Sequence, residues 1–198
     1  VLDDQQQVIV DRLTRGSSQR DIVSIVGMPG IGKTTLANRV FHSPDVVYYF
    51  HVRAWCCVSQ VYTKRDLLLG ILQHTIELTD SILMMTNEDL EFMLYKNLKG
   101  RRYLIFMDDV WNIEAWDDLK SSFPDDVNGS RILMTSRLLD VVSKVTLEND
   151  LLDLRPLSEE ESWELLKMKV FSKEGCPEEL LEVGKEIAAK CQGLPLAI

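Results

Sequence analysis

Apolar and polar positions follow two periods along this chain, and the switches between them mark out its elements. Residues 4–14 place Val8, Ile9 and Leu13 on one side of a helix that Gly16-Ser17-Ser18 ends. The run Ile22-Val23-Ser24-Ile25-Val26 predicts a strand, and Leu36 to Val40 belong to a helix closing near Ser43-Pro44. His51 to Val58 predicts a second strand, followed by a helix from Lys64 to about Glu77. Residues 79–86 fit neither period, and Asn87 is set to cap a helix reaching Leu98. Tyr103 to Met107 is apolar without interruption, as a strand covered on both faces requires. Arg131 to Thr135 is a further strand, and Leu151 to Leu154 a shorter one. Strands alternating with helices predict an α/β fold, a mostly parallel sheet with helices on both faces.

Beyond Pro156 only the helical period remains. Ser158-Glu159-Glu160-Glu161 is a capping box, and Trp163, Leu166 and Val170 recur at helical spacing behind it. Pro177 suits the first turn of a second helix, with Leu180, Val183, Ile187, Ala188 and Cys191 on one face. Gly193 is its left-handed stop, and Pro195 is placed to open a third helix. The change of pattern predicts an α/β domain over 1–155 and the start of a small helical domain over 156–198. The chain opens without Met and stops at Ala197-Ile198 as an apolar segment begins, which reads as a piece of a longer protein.

Chemistry concentrates where the first strand meets its helix. Gly27-Met28-Pro29-Gly30-Ile31-Gly32-Lys33-Thr34-Thr35 fills every fixed position of the phosphate-loop spacing G-x-x-x-x-G-K-T. Glycines let successive N–H groups converge on a phosphate, and the helix N-terminus adds its positive end. Lys33 supplies a cation for the terminal phosphates, and the Thr34 hydroxyl a ligand for Mg²⁺. A strand downstream ends in Asp108 and Asp109, at the sheet edge where α/β folds bind ligands. Asp108 is placed to serve the same Mg²⁺ and Asp109 to polarise an attacking water, although loops also commonly begin with Asp. Arg137, just past the next strand, is within reach of a terminal phosphate, but the residues alone favour a solvated arginine there.

Composition narrows the function. The 22 Lys and Arg are outnumbered by 31 Asp and Glu, giving a net charge of −9. The excess is spread along the chain: 16 basic and 21 acidic residues before Leu151, 6 and 10 from there on. Such a surface repels polyanions, so no nucleic-acid partner is expected, and Lys96 to Arg102 reads as a solvated turn. The four cysteines form no C-x-x-C pair, which fits buried thiols in a reducing, cytoplasmic compartment. His42, His51 and His74 lack metal-ligand spacing, and Trp55, Trp111 and Trp163 read as packing residues. No 18-residue apolar run suggests membrane contact.

These motifs, in order, resemble the NB-ARC nucleotide-binding module of plant intracellular immune receptors. The likeness runs through Gly27 to Thr35, Phe50 to Ser59, Leu104 to Trp111, Gly129 to Arg137, Leu154 to Leu166, and Gly193-Leu194-Pro195-Leu196-Ala197. Trp111 directly after Asp108-Asp109-Val110 resembles the class carrying an N-terminal coiled coil. The resemblance implies a STAND/AAA+-like P-loop NTPase fold followed by the ARC1 helical subdomain. It implies an ADP-bound resting state, and an ATP-bound state that self-oligomerises and triggers defence and cell death. Hydrolysis is expected to be slow, with a turnover ATPase or kinase as the alternative reading and a nucleic-acid-dependent motor as a third. The resemblance also implies Arg137 as phosphate sensor, Pro195 against the nucleotide, and Val1, Leu2, Ile22 and Val23 near adenine. Ser136 and Met107 depart from the family's usual Thr and smaller aliphatic residue. A second helical subdomain, leucine-rich repeats and the signalling domain are family parts this sequence does not contain.

Overall fold

The structure, a computed structural model, describes residues 2–171 and 175–198, and the side chains of Leu2 and Asp3 are outside that description. In chain order the elements are α1 (Leu2–Arg15), β1 (Asp21–Val26), α2 (Lys33–Phe41), α3 (Pro44–Tyr49), β2 (Val52–Cys57), α4 (Lys64–Leu72), α5 (Asp80–Leu83) and α6 (Asn87–Leu98). There follow β3 (Tyr103–Val110), α7 (Glu114–Leu119), β4 (Arg131–Ser136), α8 (Leu139–Val142), β5 (Leu151–Asp153), α9 (Glu159–Phe171) and α10 (Glu178–Lys190).

The five strands form one sheet in the order β2-β3-β4-β1-β5, with every pairing parallel. Parallel neighbours need crossover helices, which cover both faces, so the inner strands are apolar throughout. In β3 the faces separate cleanly. Leu104 and Phe106 pack with Ile9, Leu36 and Val40 from α1 and α2, while Tyr103, Ile105 and Met107 pack with Leu68, Leu90 and Leu94 from α4 and α6. Burying a residue of this size contributes about 1.5–3 kcal/mol. These two half-cores fix the sheet, and the sheet fixes where the strand ends deliver their polar residues.

Arg131, the largest fully buried side chain, opens β4. Its guanidinium donates to the carbonyls of Gln19 (2.6 Å), Ser130 (2.9 Å) and Ser17, closing the chain that leaves α1 onto the sheet. Gly16 leaves room for it: a Cβ there would stand 2.8 Å from Nη2.

Several expected boundaries move, each for a local reason. The helix from Lys64 ends at Leu72 instead of Glu77, where the Thr75 hydroxyl takes the Leu72 carbonyl. Thr86, not Asn87, caps α6 by accepting from the Asp89 N–H at 3.2 Å. Pro177 precedes α10 as its N-cap. Gln192 and Gly193 both adopt left-handed backbone, and Pro195 lies in a turn, not in a third helix. The short helices α3, α7 and α8 carry too few residues to show a period.

The capping box before α9 forms as expected: Ser158 Oγ accepts from Glu161 N–H at 3.2 Å, and the Glu161 carboxylate accepts from Ser158 N–H at 2.7 Å. The apolar stripe expected on α10 does not make a core, since Leu180, Val183 and Ile187 remain about half exposed and Ala188 alone is buried. Instead α10 meets α9 at Gly184, against the Trp163 ring. Replacing a mid-helix glycine by alanine ordinarily stabilises by about 1 kcal/mol. Here a Cβ would lie 2.8 Å from Trp163 Cη2 and nearer still to Cζ3. Gly184→Ala is therefore expected to lower the thermal midpoint, and a raised midpoint would contradict this packing.

Candidate functional site

β1 ends at Val26, and the chain turns through the phosphate loop into α2. Gly30 (φ 78°) and Gly32 (φ 101°, the N-cap of α2) hold the left-handed conformations that residues with a Cβ disfavour. The first N–H groups of α2, as at any helix start, have no acceptor within the helix. Lys33 folds back, and its Nζ donates to the carbonyls of Gly27 (2.8 Å) and Met28 (3.0 Å). Burial lowers the Lys33 pKa first, Arg137 adds to that, and Asp109 and Asp108 oppose it.

Asp108 sits at the centre. Its Oδ1 accepts from Thr34 Oγ1 at 2.9 Å and from Thr135 Oγ1 at 2.5 Å, joining α2, β3 and β4 through one oxygen. The Thr135 oxygen in turn accepts the Asp109 N–H at 2.8 Å. Strict strand alternation would send Asp109 to the opposite face from Asp108. The β3–β4 register shifts between Met107 and Val110, and Asp109 takes φ 56°, so both carboxylates reach one cavity. Aspartate is among the residues that tolerate this left-handed backbone best.

Arg137 follows β4. Its Nε and Nη2 donate to Asp109 Oδ1 and Oδ2 at 3.1 and 3.2 Å, a two-point fork, and its Cζ lies 4.6 Å from the centroid of Trp111. The arginine expected to be solvated is thus held on an edge and on a face.

These groups open onto a cavity of about 920 Å³. Pro29, Gly30, Ile31, Gly32, Lys33, Thr34, Thr35, Asp108, Asp109, Arg137 and Pro195 all line it. Gly27 contributes its carbonyl to Lys33 from behind the wall. Ile22 and Val23 are not brought there. They are buried on opposite faces of β1, towards its amino end, whereas the cavity lies at its carboxyl end. Val1 lies outside the described residues, as does the side chain of Leu2.

Other wall residues carried no sequence signal that singled them out: Gln5 of α1, Cys57 at the end of β2, and Leu154 after β5. On α9 the cavity is lined by Glu160, Glu161, Glu164, Leu165, Met168 and Lys169, beside the Trp163-Leu166-Val170 stripe that the apolar pattern picks out. In the segment leading into α9, Arg155 grips Glu161 through two 2.8 Å bonds, which with the Ser158 N–H draw the Glu161 carboxyl down to about 2. The turn after α10 closes the loop side, where Leu196 N–H donates to the Gly30 carbonyl at 3.2 Å.

For Mg²⁺ the donors fit. A hard cation that keeps waters and phosphate oxygens needs only one or two protein oxygens, and the Thr34 hydroxyl and the Asp108 carboxylate stand together beside the loop.

A parallel sheet with a phosphate loop at β1 and acidic residues at the end of β3 is the fold of the STAND/AAA+ P-loop NTPases. A signal-transduction STAND ATPase with a tetratricopeptide-repeat sensor from Pyrococcus horikoshii superposes with a TM-score of 0.56 at 21% identity, covering 94% of this chain and 27% of that one. Cdc6p from Pyrobaculum aerophilum gives 0.61 at 12% identity, over 94% and 52%. The NB-ARC domain model matches residues 2–176, and the chain belongs to that family. A putative late blight resistance protein homolog of Solanum demissum is 46% identical over 187 residues, 94% of this chain. The chain spans 24% of that relative's length. Family and fold together imply nucleotide binding.

Cys57 offers a footprint of the cavity. Its thiol is exposed but its pKa is raised, by partial burial and then by Asp108 and Asp109, while burial pushes Cys56 up to about 12. Maleimide labelling of the folded chain is expected at Cys57 before Cys56, faster as pH rises, and slowed by bound nucleotide. Labelling at Cys57 that nucleotide leaves unchanged would place the ligand elsewhere.

Proposed function

We propose that this chain is the adenine-nucleotide switch of a plant disease-resistance protein, ADP-bound at rest and ATP-bound when active, with slow hydrolysis. One observation carries the reading: the phosphate loop, Asp108 and Arg137 meet in a cavity also lined by α9 and by the turn after α10. Nucleotide bound there touches both sets of elements, so a change at its terminal phosphate bears on how they sit together. Disease resistance enters through the late blight resistance homologues.

A switch requires different affinities in its two states, and moving a 1:99 equilibrium to 99:1 takes about 5.5 kcal/mol. Lys33 and Arg137 distinguish a triphosphate from a diphosphate through charge-assisted bonds. The metal, held by Thr34 and Asp108, would supply positive charge to the β- and γ-phosphates. In this reading Asp109 is the general base, and slow turnover belongs to the same proposal. ARC1-type closure by α9 and α10, and self-association in the triphosphate state, belong to the same proposal.

Lys33→Ala tests the site. Loss of a charged hydrogen bond of about 1.5–3 kcal/mol is expected to weaken ADP binding roughly tenfold to a hundredfold while leaving the sheet folded by circular dichroism. Unchanged ADP affinity in a folded variant would refute the assignment. Steady-state turnover of many ATP per second would favour the enzyme reading instead.

A further inference from the structure

We infer that Trp111 is a positioning residue for Arg137, the pivot on which the guanidinium turns between Asp109 and a terminal phosphate. This rests on the reading of Arg137 as the phosphate-sensing group.

Two contacts fix Arg137 at the cavity wall, and they use different parts of it. Asp109 occupies the side-on edge, Nε–H and one Nη2–H, and a phosphate gripped through that same two-point edge displaces it. Trp111 occupies the flat face, which a phosphate does not need. When the edge passes to a phosphate the Asp109 contact is given up, whereas the indole contact is compatible with either state. The Asp109 pair is also a weak tether by itself, since Arg137 and Asp109 are 37% and 27% exposed and such pairs contribute little. An arginine at the end of a strand otherwise keeps its rotamer freedom, and that freedom must be lost on meeting the ligand. Trp111 holds the side chain near the cavity without being a wall residue itself. A role exerted through Arg137 follows, selective for the triphosphate.

The test is a double-mutant cycle read by equilibrium binding of ADP and of a non-hydrolysable ATP analogue with Mg²⁺. Trp111→Met removes the aromatic face at modest change in bulk, and Trp111→Phe keeps it. Trp111→Met is expected to weaken the triphosphate analogue about threefold to fivefold, the order of a partly exposed cation–π contact, and to leave ADP unchanged. Trp111→Phe should retain most of the affinity. Combined with Arg137→Ala, Trp111→Met should add nothing beyond Arg137→Ala alone. Additive losses, equal weakening of both nucleotides, or no loss in Trp111→Met would overturn the role of Trp111 while leaving Arg137 as sensor if Arg137→Ala alone weakens the analogue. If Arg137→Ala leaves the analogue's affinity unchanged, the sensor reading itself fails. Should Trp111→Met not fold, Trp111→Phe and Trp111→Tyr give the same cycle, and a selective loss of triphosphate affinity in both would contradict a role for the ring face.

Discussion

Asp108 Oδ1 accepts two hydroxyl protons, one from the first turn of α2 and one from β4. A buried carboxylate is stable only when its hydrogen bonds are made. Asp108 is 5% exposed, and Thr34 and Thr135 meet that demand. In doing so they hold the phosphate loop, the end of β3 and the end of β4 at fixed separation. The Thr135 oxygen passes the constraint on to the Asp109 N–H, the left-handed turn at Asp109 brings its carboxylate around, and Arg137 docks on that carboxylate. Thr34, Asp108, Thr135, Asp109 and Arg137 thus form one chain of contacts, while Lys33 is held separately by the loop carbonyls.

Much of this was legible in the sequence because it depends on local chemistry. The phosphate loop is a contiguous nine-residue pattern, and the apolar run before Asp108 marks an inner strand whatever the rest of the chain does. The Ser158 box is legible for the same reason, its partners being three residues apart. What the pattern did not show depends on topology or on single torsions. Nothing in the order of strands along the chain states that β4 lies between β3 and β1, yet that order sets Thr135 beside Asp108. The turn at Asp109 reverses the side expected from alternation. Arg137 looked solvated because both of its partners, Asp109 and Trp111, lie far from it along the chain.

The last two helices show the same contrast. The capping box and α9 follow from spacing, but the cavity face of α9 does not. Apolar periodicity identifies the side carrying Trp163, which packs on Gly184, whereas Glu161, Leu165 and Met168 face the cavity. The expected stripe on α10 stays half exposed because α9 meets that helix through one aromatic ring at a glycine. Two contacts lie beside the phosphate loop here: the Arg155–Glu161 fork, and Leu196 N–H on the Gly30 carbonyl. The residues of both line the cavity.

In the proposed switch this cavity holds an adenine nucleotide that exchanges slowly. The most direct measurement is the nucleotide released when the purified protein is denatured and its supernatant resolved by anion exchange. ADP is expected at close to one mole per mole of protein. A protein that carries no nucleotide and takes up neither ADP nor ATP at millimolar concentration would contradict it.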